Sequence, residues 1–278
     1  MRFRYDDTQK STWWLKDESL VPVARSILAA VDKCPESSSP DNFQILKQTH
    51  DRLILRVLPQ NFASQSFIAK IFILSCLRHK LKYHIKKYDR FGFAEAANLI
   101  IAAQRGLNVP RIYGYGRIYG SLALIKKSIV LLEDLAHQAT VGKLLELNSR
   151  DQNKCADILG RTIPVFAGLY KANCNHIDVN PESILLDDED LKQRVFLLDF
   201  EYARFYDRPS LEILMFEAAH FAKACSGWLK EDTINNWVAN LLDAIEVRDA
   251  LSREKTIRRF NYYYFGIRLS RRERIKIH

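Results

Sequence analysis

The stretch NHIDVNPESILLDDEDLKQRVFLLDFEYAR, residues 175–204, decides how this chain is read. Ile184, Leu185 and Leu186 form one short apolar run and Val195 to Leu198 form another, with the acidic turn Asp187-Asp188-Glu189-Asp190 between them. Two such runs around a polar turn predict an antiparallel strand pair. Asp178 and Asp199 stand just outside those strands, where their carboxylates can face a common cleft. Asp and Asn beside strands are common turn residues, so any one of these positions alone reads as structural. The ordered set His-x-Asp-x-x-Pro, Ile-Leu-Leu and Leu-Leu-Asp-Phe is far more specific, because order and spacing are what a motif match requires. In that arrangement one carboxylate orients a hydroxyl nucleophile while the other holds a magnesium ion bridging phosphates. That is the equipment of phosphoryl transfer from ATP.

Toward the amino terminus the pattern is strand-rich. Arg52 to Leu58 and Ser66 to Ile73 read as strands, joined by a glycine-free turn from Pro59 to Gln65. Lys70 lies in the second, within FIAKIF; an exposed strand lysine is the plain reading, and an inward one beside phosphates the functional reading. Phe91 to Gln104 has helical spacing and stops at Gly106, with Pro110 beyond. Glu95, near its start, suits the helix dipole in any case, and could also hold Lys70 toward a nucleotide. Arg111 to Tyr119, punctuated by Gly114 and Gly116, and Lys127 to Leu132 are β-prone, and the latter leads into Glu133-Asp134-Leu135. Beyond that point Thr140 to Leu147, Asp151 to Ala172, Ser210 to Cys225, Lys230 to Ile245 and Arg248 to Leu269 carry helical periodicity. Residues 1–50 are the least legible: Leu20 to Val31 has helical spacing, residues 35–40 read as a loop, and the chain turns strand-like from Phe43.

At 278 residues the chain can form one large domain or two lobes with an ample core, and 47% hydrophobic with 27% charged residues is ordinary for a globular protein. No apolar run approaches the roughly 20 residues needed to span a bilayer, and MRFRYDDTQKSTWWLKDE lacks the apolar core of a secretory signal. Cys34, Cys76, Cys155, Cys174 and Cys225 are scattered, odd in number and without metal-ligand spacing, so free thiols and a cytoplasmic location are expected. The net charge of +9 gathers in two places. One is Arg78, His79, Lys80, Lys82, His84, Lys86, Lys87 and Arg90; the other is Arg258, Arg259, Arg268, Arg271, Arg272, Arg274 and Lys276. Such runs are usually solvated faces. Beside a phosphate-handling centre they also suit a polyanionic surface, either acidic lipid or phosphorylated glycan. No nucleic-acid-binding motif accompanies the charge, so nucleic acid is not the expected partner.

The order of these pieces resembles the protein-kinase-like superfamily, and within it the lipopolysaccharide core kinases, the Kdo/heptose kinase family, over about residues 50–275. FIAKIF looks like the nucleotide-lysine strand, and residues 77–116 like that family's basic segment, glutamate helix and Gly-x-x-x-Pro exit. IVLLEDL is similar to the strand entering the inter-lobe hinge, while HIDVNPESILL and FLLDFEYAR look like the catalytic loop and the metal-binding turn. The resemblance implies an α+β, bilobal fold: residues 1–50 an extension of unclear role, 51–135 a β-rich N-lobe and 136–278 a mainly helical C-lobe. It implies Asp178 as the catalytic aspartate, Asp199 as the magnesium ligand, Lys70 on the nucleotide phosphates with Glu95 fixing it, and backbone groups of Glu133, Asp134 and Leu135 on the adenine edge. His176 would support the catalytic loop through hydrogen bonds.

Departures from the pattern stand at definite places. The residue five after the catalytic aspartate is usually an asparagine that ligates the second metal; here it is Ser183, a poorer ligand, with Asn180 nearby. The turn after Asp199 is Phe200-Glu201 without glycine, and the Gln60–Gln65 loop lacks the glycines that let backbone wrap over phosphates. No long activation segment and no Ala-Pro-Glu follows Asp199, which favours a small or glycan acceptor over a peptide. The expected activity is therefore ATP- and magnesium-dependent phosphorylation of a sugar hydroxyl in lipopolysaccharide core, at the cytoplasmic face of the inner membrane. The alternatives are a cytosolic choline- or aminoglycoside-type small-molecule kinase, which DFEYA also resembles, and a pseudokinase binding module.

Overall fold

A computed structural model describes residues 3–7, 10–33, 42–59, 65–78, 80–81, 92–187, 195–266 and 269–277. Most of the 60–65 loop, the turn residues 188–190, and His79, Lys82, His84, Lys86, Lys87, Arg90 and Arg268 of the basic runs lie outside the described residues. The chain divides into two units: residues 1–100 with 110–135, and residues 101–109 with 136–278.

The first unit is built on a seven-stranded antiparallel sheet of order β1-β2-β6-β7-β5-β4-β3. Its strands are β1 (Phe3–Asp7), β2 (Ser11–Leu15), β3 (Phe43–Gln48), β4 (Arg52–Val57), β5 (Phe67–Ile73), β6 (Ile112–Tyr119) and β7 (Ile125–Glu133). Strand side chains alternate between faces. Leu55, Val57, Ala69, Ile71, Ile129 and Leu131 share one core with Val23, Ala24, Ile27, Ala30 and Val31 of helix α1 (Val21–Lys33). The same alternation sends Lys70 to the opposite face, in register between Ile54 and Val130. Helix α2 (Gly92–Gln104) carries Glu95 in its first turn.

The glycines that punctuate β6 are explained by the hairpin β1–β2. Gly116 pairs with Trp13 and Gly114 with Leu15. A Cβ on Gly116 would lie 2.6 Å from the Trp13 ring, and one on Gly114 would lie 2.7 Å from the Leu15 side chain. Trp13 thereby reaches zero exposure in the core. Its neighbour Trp14 points the other way, where the Arg117 guanidinium lies 5.4, 5.7 and 5.5 Å from the ring centroids of Trp14, Phe93 and Tyr115. β1 and β2 are thus part of this sheet and α1 packs on it, with partners about 100 positions away in β6 and β7.

The second unit is mainly helical: α3 (Val141–Leu147), α4 (Gln152–Gly160), α5 (Ile163–Lys171), α6 (Leu211–Cys225), α7 (Glu231–Ala244), α8 (Ala250–Phe265) and α9 (Arg271–Arg274). Thr140, Asp151, Ser210 and Asp249 accept from first-turn amides and fix four of these starts. The periodicity from Asp151 to Ala172 predicts one helix, but the structure forms two. Pro164 lacks an amide for a continuous ladder, and the Thr162 hydroxyl donates to the Leu159 carbonyl at 2.6 Å while accepting from Trp237 Nε1 at 3.2 Å. α8 is likewise shorter than the predicted Arg248–Leu269, ending before Gly266. α6 is apolar almost all round and is the buried centre of the unit.

Two small sheets complete the unit. β8 (Gln138–Thr140), β10 (Ile184–Asp187) and β11 (Phe196–Leu197) pair in the order β11-β10-β8. The antiparallel pairing expected of the two apolar runs is β10 with β11, Ile184 opposite Leu197. β9 (Cys174–Asn175) pairs with β12 (Arg204–Phe205).

Candidate functional site

Within the second unit the segments bearing Asp178 and Asp199 are cross-linked by backbone and side chain. β9 runs directly into His176, whose Nε2 donates to the Leu198 carbonyl at 2.7 Å. The imidazole also meets the Phe200 ring edge-on, with centroids 4.8 Å apart. One residue before Asp199, the Leu198 amide donates to the Ser183 carbonyl at 2.8 Å. Asp199 itself adopts left-handed backbone (φ 64°, ψ 50°) ahead of a single 3₁₀ turn, Phe200–Tyr202. Aspartate tolerates that region because its short polar side chain bonds locally. The segment then returns at once to pair with β9.

Ser183 and Asn180 form a closed turn. The Ser183 hydroxyl donates to the Asn180 carbonyl at 2.8 Å and accepts from the Asn180 amide at 2.9 Å, with Ser183 wholly buried. The Asn180 carboxamide donates to the Asp178 carbonyl and accepts from the Glu182 amide, both at 2.9 Å. Ser183 is thereby engaged as a staple of the loop, and nothing in this geometry supports it as a metal ligand. Among the described residues no cluster of three or more His, Cys, Asp or Glu side chains forms a ready metal cage.

Asp178 is gripped from a distance in sequence. Arg274 of α9 places Nη1 2.9 Å from Asp178 Oδ1, 2.8 Å from the Ile177 carbonyl and 3.1 Å from His220 Nε2. On the other side of the same residue, Glu217 of α6 accepts from the Ile177 amide at 2.5 Å. Ile177 has φ 75°, and a β-branched residue in that region is strained by about 1–3 kcal/mol. Two ionisable groups bracket it. Burial pushes the Glu217 carboxyl up to about 7, against the lowering effects of the Ile177 amide and the Arg274 guanidinium.

In the first unit Lys70 and Glu95 come together: Nζ lies 2.6 Å from Oε1, with side chains 8% and 1% exposed. The segment proposed for the adenine edge is partly committed elsewhere. The Glu133 amide donates to the Arg111 carbonyl at 2.9 Å and Glu133 Oε2 accepts from the Arg111 amide at 3.1 Å. Asp134 Oδ2 lies 2.8 Å from Arg56 Nε. The Glu133 amide therefore belongs to the end of the β6–β7 ladder, which leaves Asp134 and Leu135 as the backbone candidates.

The sequence reading missed Glu217 and misassigned Arg274. Glu217 had a signal, an acid inside the apolar run LEILMFEAAHF. Arg274 belongs in sequence to the basic carboxy-terminal cluster expected as docking charge, whereas the structure buries it against Asp178.

The family model described as lipopolysaccharide kinase (Kdo/WaaP) matches residues 69–210, just over half of the chain. The chain belongs to that family. It is a kinase family, and its membership places this chain among proteins of lipopolysaccharide synthesis. The matched span contains Lys70, Glu95, Glu133, Asp134, Leu135, His176, Asp178, Asn180, Ser183 and Asp199, but not Glu217, His220 or Arg274. This Kdo/WaaP chain is also similar in fold to a solved chain described as WaaP in complex with acyl carrier protein. The match has 14% identity and a TM-score of 0.56, and covers 91% of this chain and 99% of that one. No curated protein matches it.

Proposed function

We propose that this Kdo/WaaP-family chain transfers the terminal phosphoryl group of ATP, with magnesium, to a sugar hydroxyl of lipopolysaccharide core. The observation that carries the reading is the stapling of the Asp178 loop to the Asp199 turn through His176, Leu198 and Ser183, inside the span the family model matches. Asp178 would orient the acceptor hydroxyl and accept its proton as the oxygen bonds to phosphorus. Lys70, held by Glu95, would contact the phosphates.

Asp199 fits a magnesium ion in chemistry: a carboxylate is a hard oxygen donor. Magnesium in phosphoryl-transfer sites is commonly held by one or two carboxylates with substrate phosphates and water, so no all-protein cage is required. A magnesium ion held there would supply positive charge that offsets the phosphates' negative charge. Asn180 Oδ1, which accepts one bond from the Glu182 amide and keeps a further lone pair, is the amide oxygen of this loop that could serve a second ion.

A glycolipid acceptor places the reaction at the cytoplasmic face of the inner membrane, with the protein peripheral to it. A second reading, a nucleotide-binding homologue without transfer, is favoured by Ser183 where the family pattern has asparagine. Labelled ATP offered with core lipopolysaccharide, small alcohols and proteins separates these readings. The proposal expects label in lipopolysaccharide alone; transfer to an amino alcohol selects the small-molecule kinase, and binding without transfer selects the homologue.

A further inference from the structure

Arg274 lies 96 positions from Asp178 and outside the family-matched span, yet its guanidinium touches Asp178 itself. The short helix that carries it is fixed locally. Ser270 and Glu273 form a reciprocal capping box, the Ser270 amide donating to Glu273 Oε2 at 2.7 Å and the Glu273 amide to Ser270 Oγ at 3.4 Å. Farther along, the buried Asn175 carboxamide donates to the Arg274 and Ile277 carbonyls at 3.5 and 3.4 Å. The carboxy-terminal segment is thus moored on the residue that opens the catalytic loop.

From that mooring one nitrogen, Nη1, reaches both the Ile177 carbonyl and the Asp178 carboxylate. Glu217 holds the amide on the other side of Ile177. A left-handed isoleucine persists only where its surroundings over-determine it, and these two side chains supply that constraint. The Ile177 backbone in turn sets the direction in which Asp178 leaves the chain.

We propose that Arg274 is a positioning residue for phosphoryl transfer: it holds the Asp178 carboxylate and the Ile177 peptide in register, and so makes the carboxy-terminal helix part of the active centre. The proposal rests on the kinase reading above for its consequence in activity, and on the geometry alone for its consequence in the loop.

The test compares full-length wild type with Arg274→Met, Arg274→Lys and Asp178→Asn. Amide hydrogen exchange at residues 176–180 is read beside kcat and KM for magnesium-ATP, with purified rough lipopolysaccharide as acceptor. Misplacement of a reacting group by about 1 Å can lower turnover roughly 100-fold, and that is the expected fall in kcat for Arg274→Met. KM for ATP stays within about twofold, because substrate binding and orientation of the nucleophile are separate interactions. Exchange quickens at residues 176–180 while α6 and α7 keep their protection, and Arg274→Lys recovers part of the loss. Wild-type kcat and wild-type exchange in Arg274→Met overturn the proposal. So does a loss that merely follows global unfolding, with lysine no better than methionine. If wild type labels no acceptor, or Asp178→Asn is as active as wild type, the kinase reading falls instead, and unchanged loop exchange in Arg274→Met still decides against the positioning role.

Discussion

Glu217 is a buried acid on an apolar helix, and its consequence is a pH dependence with a definite sign. The folded state keeps its proton up to about pH 7, while an ordinary glutamate releases it near 4.5. Folded-state affinity for the proton is thus raised, so its contribution to stability is complete below pH 4.5, declines as pH rises, and is gone above about 7. A shift of that size corresponds to roughly 3 kcal/mol. Glu217→Gln keeps an acceptor for the Ile177 amide and removes the titration. Urea unfolding at about pH 5 and about pH 8 should show wild type losing stability across the interval and the variant nearly level. Equal slopes in both proteins would assign the dependence to another group. Lys70 and Glu95 were legible as partners because each fell at a recognisable place in a strand and a helix. Arg274 was not, because nothing local in SRRERIK marks one arginine for burial beside an aspartate in another segment.

Among elements, the hairpin β1–β2 makes the strongest packing claim. Trp13 has zero exposure and sits over Gly116, where an added methyl group would meet the indole at 2.6 Å. Trp13→Ala should cost about 3–5 kcal/mol as a core cavity. Gly116→Ala should cost about 1–3 kcal/mol as overpacking. Combining Trp13→Ala with Gly116→Ala should give less than the sum of the two single losses, since the residues touch. Chemical denaturation of the four proteins measures this, and strict additivity would contradict the packing. Strongly periodic elements such as β4, β5, α2 and α6 could be read from the sequence to within a residue or two. The hairpin could not, because the alternation in FRYDD spans only five residues and the strand that completes its packing, β6, lies about 100 residues on. The division of α4 from α5 turns on Thr162 bonding Leu159 and Trp237, a tertiary contact that periodicity cannot register.

On the scale of the whole molecule, the +9 charge is less freely available than the sequence suggests. Arg258 pairs with Glu254 at 2.5 Å, Arg259 pairs with Glu212, and Arg274 is buried on Asp178. Exposed pairs of this kind leave the charge accessible to a stronger field, since each is worth about 1 kcal/mol or less. α8 also presents Leu251, Tyr262 and Phe265 at 74%, 73% and 65% exposure beside its arginines. Peripheral membrane contact therefore predicts sedimentation with vesicles containing phosphatidylglycerol, weakening as salt is raised, and none with phosphatidylcholine alone. Equal binding to both lipids, or none to either, would contradict it.

The account as a whole depends on Asp178 acting on the acceptor. Asp178→Asn preserves an oxygen for Arg274 and removes the carboxylate charge, so folding and chemistry separate cleanly. The direct measurement is the initial rate of phosphoryl transfer from magnesium-ATP to purified core lipopolysaccharide, with melting temperature recorded on the same samples. The expected result is transfer reduced at least 1,000-fold, on the order of the rate supplied by a general base and its correct orientation, with melting within a few degrees of wild type. Transfer at the wild-type rate by a folded Asp178→Asn protein would contradict the account.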